Sequence, residues 1–338
     1  NGMLEKGYTE DFARRIFRQL EGFGSYGFPE SHAVSFALLV YVSAWLKCHY
    51  PDVFACALLN SLPMGFYQPA QIVIDAQKHG VTVKPVDVNY SKWDHTLESK
   101  EGAYCVLRLG FRQVKGLNGQ EIEILLAARS QPIRTISQLK DAGLSIAALE
   151  KLADADAYRS LGMDRRQALW EISSLSDRGI GLFKGLSTAD PKEQAVQLPL
   201  MELPEHVLQD YSATSLSLKA HPVSFLRSSL SMLHIVSTAQ LHQLENGAPV
   251  QVAGLVLVRQ RPGTASGICF ITIEDETGTA NLVVFQQIFA LFRKEILRST
   301  LLMVNGTVQR ERQVIHVVAH SFKNLSGLFK NSMLPKYE

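Results

Sequence analysis

The chain has 338 residues, of which 46% are hydrophobic and 20% charged, a composition that is typical of globular proteins and excludes a mainly disordered chain. Its 34 Lys and Arg residues almost balance its 32 Asp and Glu residues, so a site for a polyanion has to be local. At about 100–200 residues per domain, this length favours two or three domains. Four widely spaced cysteines without a disulfide or metal pattern favour a reducing cytoplasm.

The N-terminal sequence predicts a set of helices. Thr9 is a suitable N-cap for the first helix, and we expect glycines from Gly22 onward to end it. Ser31 is the expected N-cap of the next helix. The apolar run 33–46 is shorter than the about 20 residues that a membrane span requires, so it predicts a buried helix. Two more helices follow, each with a proline suited to its first position.

Beyond these helices the pattern changes. Residues 81–106 form short, β-rich segments, whereas 111–129 and 133–161 have helical periodicity with tight glycine turns. We interpret 173–207, which is rich in Gly and Pro and has no sustained periodicity, as a linker. A helix-like stretch at 221–245 follows.

The C-terminal region alternates hydrophobic and polar residues with a period of two, which predicts β-strands. Three strands, one helix and two strands within about 75 residues are the order expected of an OB-type barrel. The predicted strands lie at 250–258, 270–272, 282–284, 302–304 and 315–317, and the predicted helix at 286–298.

A short Gly-x-x-Gly hairpin between two helical segments is the most informative motif. It consists of Lys115, Gly116, Asn118 and Gly119 with their neighbours. Such a turn lets backbone N–H groups at a helix N-terminus bind a phosphate oxygen, and the lysine adds a mobile positive charge. The alternative is an ordinary turn that uses glycine only for tightness. A second candidate at 141–145 favours DNA binding, because helix-hairpin-helix units commonly occur as pairs.

Acidic motifs are interpreted as solvated surface. Asp154 and Asp156 are two positions apart on a predicted helix, about 200° apart around its axis, so they cannot share an ion. The acids at 274–276 lie in a predicted turn between strands. His316 and His320 lie in strand-like sequence that is too extended for them to share an ion. The sequence therefore assigns no catalytic residue and no metal ligand.

Four arginines are expected around the barrel. We place Arg259 and Arg261 in the loop after the first strand, and Arg310 and Arg312 in the turn between the last two strands. In an OB barrel these loops flank the face that binds single strands, with aromatic residues as stacking platforms. The alternative is a solvated rim.

The linker contains a short apolar peptide. Gln197, Leu198, Leu200 and Met201 offer one glutamine amide followed by apolar side chains, a pattern that can bind in a groove of a partner protein. The alternative interpretation is a buried connector.

Ser31 and His32 open the apolar helix. A hydroxyl and an imidazole beside free N–H groups can hold a phosphate or a nucleotide at such a position. Capping alone also explains Ser31, and a lone histidine is more often structural.

The N-terminal third carries a resemblance to a known family. Residues 26–33, 35–38 and 41–51 resemble the fingers segment of bacterial C-family DNA polymerases, the polymerase III alpha type. Residues 58–67 and 86–89 resemble the error-prone translesion branch, the ImuC type, more than the main replicase.

The resemblance covers nearly the whole chain. Residues 109–161 resemble the tandem helix-hairpin-helix domain of that family, 215–223 its connector and 250–326 its OB domain. The chain is therefore expected to be multidomain α+β: a distal fingers portion at 1–105, a helix-hairpin-helix module at 106–172, a linker with connecting helices at 173–247, and a single-strand-binding OB-fold barrel at 248–329.

The resemblance implies template-directed DNA synthesis by two-metal phosphoryl transfer, with Mg²⁺ held by palm aspartates that precede Asn1. We therefore expect a portion of a longer polymerase, without a cofactor of its own and inactive alone. Ser31 and His32 match the fingers motif near the incoming nucleotide, and Lys47 matches a basic position of that motif. The glycine hairpin matches the duplex-backbone hairpin of the family, and the peptide at 197–201 occupies the place of the replicase's sliding-clamp peptide.

The expected partners are primer-template duplex and single-stranded template, bound through phosphates without sequence preference, and no membrane. The alternative from another class is a protein-interaction platform that recruits the sliding clamp or mutasome accessory proteins, with DNA contact incidental. The nearly neutral charge is compatible with this alternative.

Overall fold

The structure is a computed structural model that describes residues 2–26, 30–65, 68–176, 198–263, 267–312 and 314–328. The chain divides into two compact units, one of residues 1–82 and 97–107 and the other of residues 83–96 and 108–338. Among the described residues, no helix is both long and apolar enough to cross a membrane.

The N-terminal part of the chain is helical and ends in short strands, as the sequence predicts. Pro51 and Pro69 each begin a helix, where the missing N–H of proline costs nothing. In the first unit, the carboxylate of Asp52 accepts a 2.7 Å hydrogen bond from the backbone N–H of Cys105, which fixes a helix to the hairpin of the two longer strands. The elements are α1 (Gly2–Glu5), α2 (Glu10–Tyr26), α3 (Glu30–His49), α4 (Pro51–Asn60), α5 (Pro69–Lys78), β1 (Val83–Lys84), β2 (Thr96–Glu101) and β3 (Tyr104–Arg108).

Two predictions about helix ends are wrong. Helix α2 begins directly after Thr9 as expected, but it continues through Gly22 to Tyr26, because a glycine inside a helix costs only about 1 kcal/mol. Helix α3 begins at Glu30, so Ser31 lies in its first turn rather than at the N-cap.

The prediction that α3 is buried is also wrong. Its residues from 33 to 45 are exposed, with Leu38 65% and Tyr41 69% accessible. A uniformly apolar sequence does not reveal whether another element covers the helix. Within the described residues, only the C-terminal part of α3 is partly buried, where the helix packs against α4.

Within the second unit, the helical region 111–176 consists of four helices and two 3₁₀ turns. Asn118, Thr135 and Ser145 are the N-caps of three of these helices, each accepting a hydrogen bond from a backbone N–H in the first turn. The core is apolar and fully buried, formed by side chains such as Ile122, Leu125, Leu139, Leu149 and Leu152. The elements are the 3₁₀ turns Phe111–Gln113 and Arg159–Leu161, α6 (Gly119–Ala128), α7 (Ile136–Asp141), α8 (Ile146–Asp154) and α9 (Arg165–Ser176).

The predicted linker is shorter than expected. Helix α9 extends to Ser176, and α10 (Leu203–Thr214) begins within the range interpreted as linker, with a proline in its first turn. Proline breaks the interior of a helix but is well tolerated in a first turn, so a high proline content does not by itself indicate a linker. Between the two helices, 177–197 lies outside the described residues.

The segment before the barrel is not one continuous helix. It consists of the 3₁₀ turns Pro222–Leu226 and Ala239–Gln243 and the short helix α11 (Arg227–Met232). Between α11 and the second 3₁₀ turn, Val236 forms a parallel bridge with Val252 of the barrel. The segment is therefore not helical where it pairs with this strand.

The predicted OB-type barrel is confirmed. Five strands close in the order β4-β5-β6-β8-β7, with β6 and β8 parallel and the other pairs antiparallel. Alternate residues such as Val252, Ile271, Leu282, Val304 and Val317 fill the interior. The elements are β4 (Pro249–Gln260), β5 (Cys269–Asp275), β6 (Gly278–Val284), α12 (Gln286–Leu291), α13 (Arg293–Arg298), β7 (Leu301–Glu311) and β8 (Val314–Asn324).

Candidate nucleic-acid interface

The first glycine hairpin is a tight turn that opens helix α6. Gly116 has φ of +70°, a backbone conformation that residues with a Cβ atom rarely adopt. Asn118 follows as the N-cap, with its side-chain oxygen accepting a 3.1 Å hydrogen bond from the N–H of Gln120, and Gly119 is the first helical residue. The turn therefore directs the N-terminus of a ten-residue helix toward solvent.

Lys115 is more firmly held than the sequence suggests. Its ammonium donates a 3.0 Å hydrogen bond to the carbonyl of Tyr211, and its backbone N–H donates a 2.9 Å bond to the carbonyl of Ala213. Both carbonyls lie near the C-terminus of α10, where the helix dipole favours a cation. The side chain remains exposed, and two of its three N–H donors are available to a phosphate.

The second hairpin repeats the arrangement at helix α8. Gly143 has φ of +108°, and Ser145 is the N-cap that accepts a 3.1 Å bond from the N–H of Ala148. The segment 141–145 thus presents a second helix N-terminus after a glycine turn.

Two side chains connect the hairpins to each other. The ammonium of Lys151 on α8 donates a hydrogen bond to the carbonyl of Gly116, and the carboxylate of Glu121 on α6 accepts a 3.2 Å bond from the N–H of Ser145. The N-termini of α6 and α8 are therefore held side by side. Each carries about half a positive elementary charge. No local pattern in the sequence pairs Lys151 or Glu121 with these turns, so the sequence does not predict their role.

In the acidic motif at the end of α8, Asp156 is buried and paired and Asp154 is half-buried, so the assignment of the motif to the solvated surface is wrong. Asp156 has φ of +58° and forms ion pairs with Arg159 at 2.8 Å and Lys219 at 3.0 Å. Burial raises the pKa of Asp154, against the opposing charge of Arg165. The Asp156 carboxylate is occupied in structural pairs.

The acids that end strand β5 are likewise buried rather than solvated. Asp275 accepts hydrogen bonds from Thr238, Thr277 and the guanidinium of Arg227. Burial alone would raise the pKa of Asp275, but the hydrogen bonds from Thr238 and Thr277 outweigh burial and hold the pKa below its usual value. Glu274 is buried as well, with His221 3.6 Å away.

The described residues do not fit the magnesium site that the family resemblance implies for a whole polymerase. Within them, no group of three or more His, Cys, Asp or Glu side chains is arranged to hold a metal ion. His316 and His320 both lie in strand β8, as predicted.

Arg259 and Arg310 each hold two backbone carbonyls of the protein itself. Arg259 lies inside β4 rather than in the following loop, and it donates to the carbonyls of Ile296, at 2.7 Å, and of Ser299. Arg310 lies near the end of β7 rather than in the turn, and its guanidinium donates to the carbonyls of His242 and Leu244 at 2.8 and 3.0 Å.

The other two arginines are accessible. Arg261 follows β4, donates one 3.3 Å hydrogen bond to the carbonyl of Gly267, and stacks on the ring of Phe289, with 4.9 Å between guanidinium carbon and ring centroid. Arg312 is exposed beyond β7, and its side chain has no hydrogen-bond or ion-pair partner among the described residues. On β5, Phe270 is 40% exposed and pairs in register with Gln260 and Val283. The sequence predicts aromatic platforms on these strands but does not single out Phe270.

The proposed nucleotide residues of the fingers portion lie at opposite ends of α3. Ser31 and His32 are in its first turn, and their side chains lie outside the described residues. Lys47 is in the last turn, about 24 Å from Ser31 at the rise of an α-helix, and forms a 2.9 Å ion pair with Asp75 of α5. The helix does not bring the three residues together.

The apolar peptide 197–201 is partly buried against other residues of the chain. Gln197 lies outside the described residues, Leu198 is half-buried and Met201 is buried, whereas Leu200 is 81% exposed. Arg166 of α9 donates a 3.1 Å bond to the carbonyl of Pro199 and pairs with Glu205 of α10.

Comparisons with known proteins agree with this architecture. Residues 80–168 match the family model of the helix-hairpin-helix motif, and residues 250–325 match that of the OB-fold nucleic acid binding domain.

Curated relatives cover nearly the whole chain. An error-prone DNA polymerase of Brucella abortus is 48% identical over 331 residues, and error-prone DNA polymerase 2 of Agrobacterium fabrum is 50% identical over 337 residues. Each alignment covers 97% of this chain and 31% of the relative, so the chain spans about a third of their length, the C-terminal part.

Solved structures give weak overall similarity. An asparaginyl-tRNA synthetase from Pyrococcus horikoshii is 20% identical, with a TM-score of 0.24, and the match covers 31% of this chain and 25% of that one. The Stn1-Ten1 complex of S. pombe is 20% identical, with a TM-score of 0.20, covering 25% of this chain and 76% of that one.

Proposed function

We propose that this chain, which is homologous along almost its whole length to the C-terminal part of bacterial error-prone DNA polymerases, holds the DNA substrate of such an enzyme by its sugar-phosphate backbone. The complete polymerase would carry out template-directed translesion synthesis in the bacterial cytoplasm. Its Mg²⁺ would be held by carboxylates outside this chain.

The connected pair of hairpins carries the proposal. Two helix N-termini lie side by side, braced by the bonds from Lys151 to Gly116 and from Ser145 to Glu121. Exposed N–H groups at helix N-termini bind phosphate oxygens without reading the bases. The ammonium of Lys115 lies beside the first hairpin and adds charge. This arrangement suits a duplex of any sequence.

The outer face of the barrel supports binding of a single strand. Phe270 offers an exposed ring for base stacking, and Arg261 and Arg312 offer charge for the backbone. Thr272 and Asn281 hydrogen-bond to each other on the same face at 2.9 Å. We propose that unpaired template follows this face.

Fluorescence anisotropy with labelled duplexes of several sequences tests the proposal. Binding should weaken linearly in log salt, because phosphate contacts release counterions. Lys115→Ala should lower affinity for all sequences alike by about threefold to tenfold and reduce the salt slope by about 1. Lys78→Ala, which removes the same charge at the end of α5, is the matched control and should have no effect.

Two results would contradict the proposal. Losses confined to particular sequences would indicate base readout instead of backbone binding. Primer extension by the purified 338-residue chain with Mg²⁺ and deoxynucleoside triphosphates would show that the catalytic carboxylates are present here after all.

A second candidate function is supported by the exposure of Leu200 and, at the start of α10, of Leu203. Exposed leucines just before a helix and at its start can dock in a groove of the sliding clamp or of a mutasome accessory protein. Pull-down of clamp protein that is lost with the double variant Leu200→Ala and Leu203→Ala would support this function. Retention of the clamp by that variant would remove the support.

A further inference from the structure

A cavity of about 530 Å³ lies in the second unit, at the end of α6 that is remote from the glycine hairpin. Ten helical residues separate the two places by about 15 Å. The volume is within the about 300–1,000 Å³ of small-ligand sites. The walls are formed by the loop 129–134, by Asn89 and Tyr90, and by Ser160 and Leu161.

One wall is an aromatic ring with a fixed position. Tyr90 is 60% exposed, and the guanidinium carbon of Arg108 lies 5.2 Å from its ring centroid. Arg108 is itself buried and donates a 3.0 Å hydrogen bond to the carbonyl of Pro85. The ring is therefore held by a cation–π contact and offers exposed aromatic surface for stacking.

The charge of the cavity is positive. Arg129 and Arg134 line it, and no Asp or Glu does. Arg129 is half-buried and donates to the carbonyls of Val88 and Ser91 at 3.1 and 2.7 Å; the carboxylate of Asp87 is near enough to act on its charge but forms no ion pair with it in the described part of the chain. Burial lowers the pKa of Arg129. The guanidinium of Arg134 is exposed and forms no hydrogen bond or ion pair with any described residue.

The floor of the cavity is rigid. The side chain of Asn89 accepts a 2.8 Å bond from the N–H of Ile133 and donates to the carbonyl of Ile133 and to the hydroxyl of Ser160, at 2.9 and 3.0 Å. The nearby carboxylate of Asp87 is occupied by hydrogen bonds from Asn89 and Ser160. A preformed cavity saves the cost of ordering its walls on binding.

We propose that this cavity binds a nucleoside phosphate, with the base stacked on Tyr90 and the phosphate held by Arg134 and Arg129. Aromatic stacking and anion binding meet in this one place, which is the pairing that a nucleotide requires. The nucleotide is either free in solution or one unit of a single strand. The proposal goes beyond duplex binding by the hairpins and does not depend on it.

Isothermal titration calorimetry on the whole 338-residue chain tests the proposal with deoxyadenosine monophosphate, deoxyadenosine, inorganic phosphate and a single-stranded pentanucleotide. The monophosphate should bind at least about tenfold more tightly than deoxyadenosine or phosphate, because only it uses both the ring and the arginines. A pentanucleotide that binds more tightly than the monophosphate would identify the strand as the source, and equal or weaker binding would identify the free nucleotide.

Variants locate the binding. Arg134→Ala should weaken monophosphate binding about tenfold, whereas Arg298→Ala, an exposed arginine at the end of α13, is the matched control. Tyr90→Ala should weaken the monophosphate about tenfold and leave inorganic phosphate unchanged. Tyr90→Phe, which keeps the ring, should retain binding, and unchanged phosphate binding by Tyr90→Ala would show that this variant is folded.

Three outcomes would overturn the proposal: no saturable binding of the monophosphate, equal binding by the Arg134→Ala variant, or loss of binding on Lys47→Ala. The last would place the nucleotide at α3. Lys115→Ala separates this proposal from duplex binding, because the substitution removes a charge at the hairpin and should lower duplex affinity without changing binding of the monophosphate.

Discussion

The guanidinium of Arg165 donates a 2.6 Å hydrogen bond to the carboxylate of Asp210, and the arginine side chain is only 2% exposed. The bond joins the start of α9 to α10. Asp210 also accepts from Ser217 at 2.7 Å and from Lys219 at 2.9 Å. Helix α10 in turn receives Lys115 near its C-terminus, so this buried carboxylate supports the helix on which the first hairpin rests.

Removal of that carboxylate should destabilise the second unit. Asp210→Ala leaves Arg165 buried without its anion, a change that typically costs about 3–5 kcal/mol. Urea unfolding followed by circular dichroism measures the loss. Asp141→Ala, an exposed carboxylate with no partner in the described residues, should change the free energy of unfolding by less than about 0.5 kcal/mol. Equal effects of the two variants would contradict the buried pair.

Asp275 should be needed for barrel stability at neutral pH. Asp275→Asn replaces one acceptor oxygen with a donor among N–H and O–H groups, and we expect a loss of about 3 kcal/mol. Because the folded pKa of Asp275 lies below its ordinary value of 3.8, its stabilisation is present above that value and is lost as the pH falls through the folded pKa.

Thermal unfolding from pH 7 to pH 2 checks this behaviour. The difference in stability between the native chain and Asp275→Asn should be constant at neutral pH and shrink only at the acid end. A difference that disappears already near pH 6 would show that another group is responsible.

His95 should make the chain less stable in mild acid. Burial, assisted by the charge of Arg112 and opposed by that of Asp94, lowers the pKa of His95 from 6.5 to about 4. The unfolded chain therefore binds a proton between these values while the folded chain does not, so stability falls as the pH drops from 6.5 to about 4, by about 3 kcal/mol in total.

His95→Asn isolates this effect. The asparagine oxygen can accept the hydrogen bond that the imidazole now accepts from the N–H of Gly110, but it does not titrate. Unfolding free energies measured at pH 7 and pH 4.5 should differ less for the variant than for the native chain. An unchanged pH dependence would exclude His95 as its origin.

The four barrel arginines should separate into two classes. Arg259→Ala should lower barrel stability by about 1–3 kcal/mol, because the carbonyls of Ile296 and Ser299 lose a charged donor. Arg312→Ala should leave stability unchanged and weaken binding of single-stranded DNA. The melting temperature of each variant and the fluorescence anisotropy of labelled single-stranded DNA bound to it distinguish the two classes. A loss of stability in Arg312→Ala would show that Arg312 has an unrecognised structural partner.

Local sequence determined most elements of this protein. The capping side chains Asn118 and Ser145, the glycine turns before them, and the period-two strands of the barrel all act within a few residues, so they can be predicted without knowledge of the fold. Family resemblance added the nature of the modules, and the comparisons support it.

Tertiary structure alone decided which of these residues are free to bind a ligand. Asp156 and Asp275 look like solvated acids in the sequence, and Arg259 looks like a loop arginine, yet each is bound by a partner 37 to 63 positions away. Helix α3 shows the reverse, since its apolar sequence predicts burial and yet the helix is exposed. A hydrophobic segment does not determine whether another element packs over it. Burial and pairing depend on contacts between distant segments, and such contacts leave no periodic or capping signal in the chain.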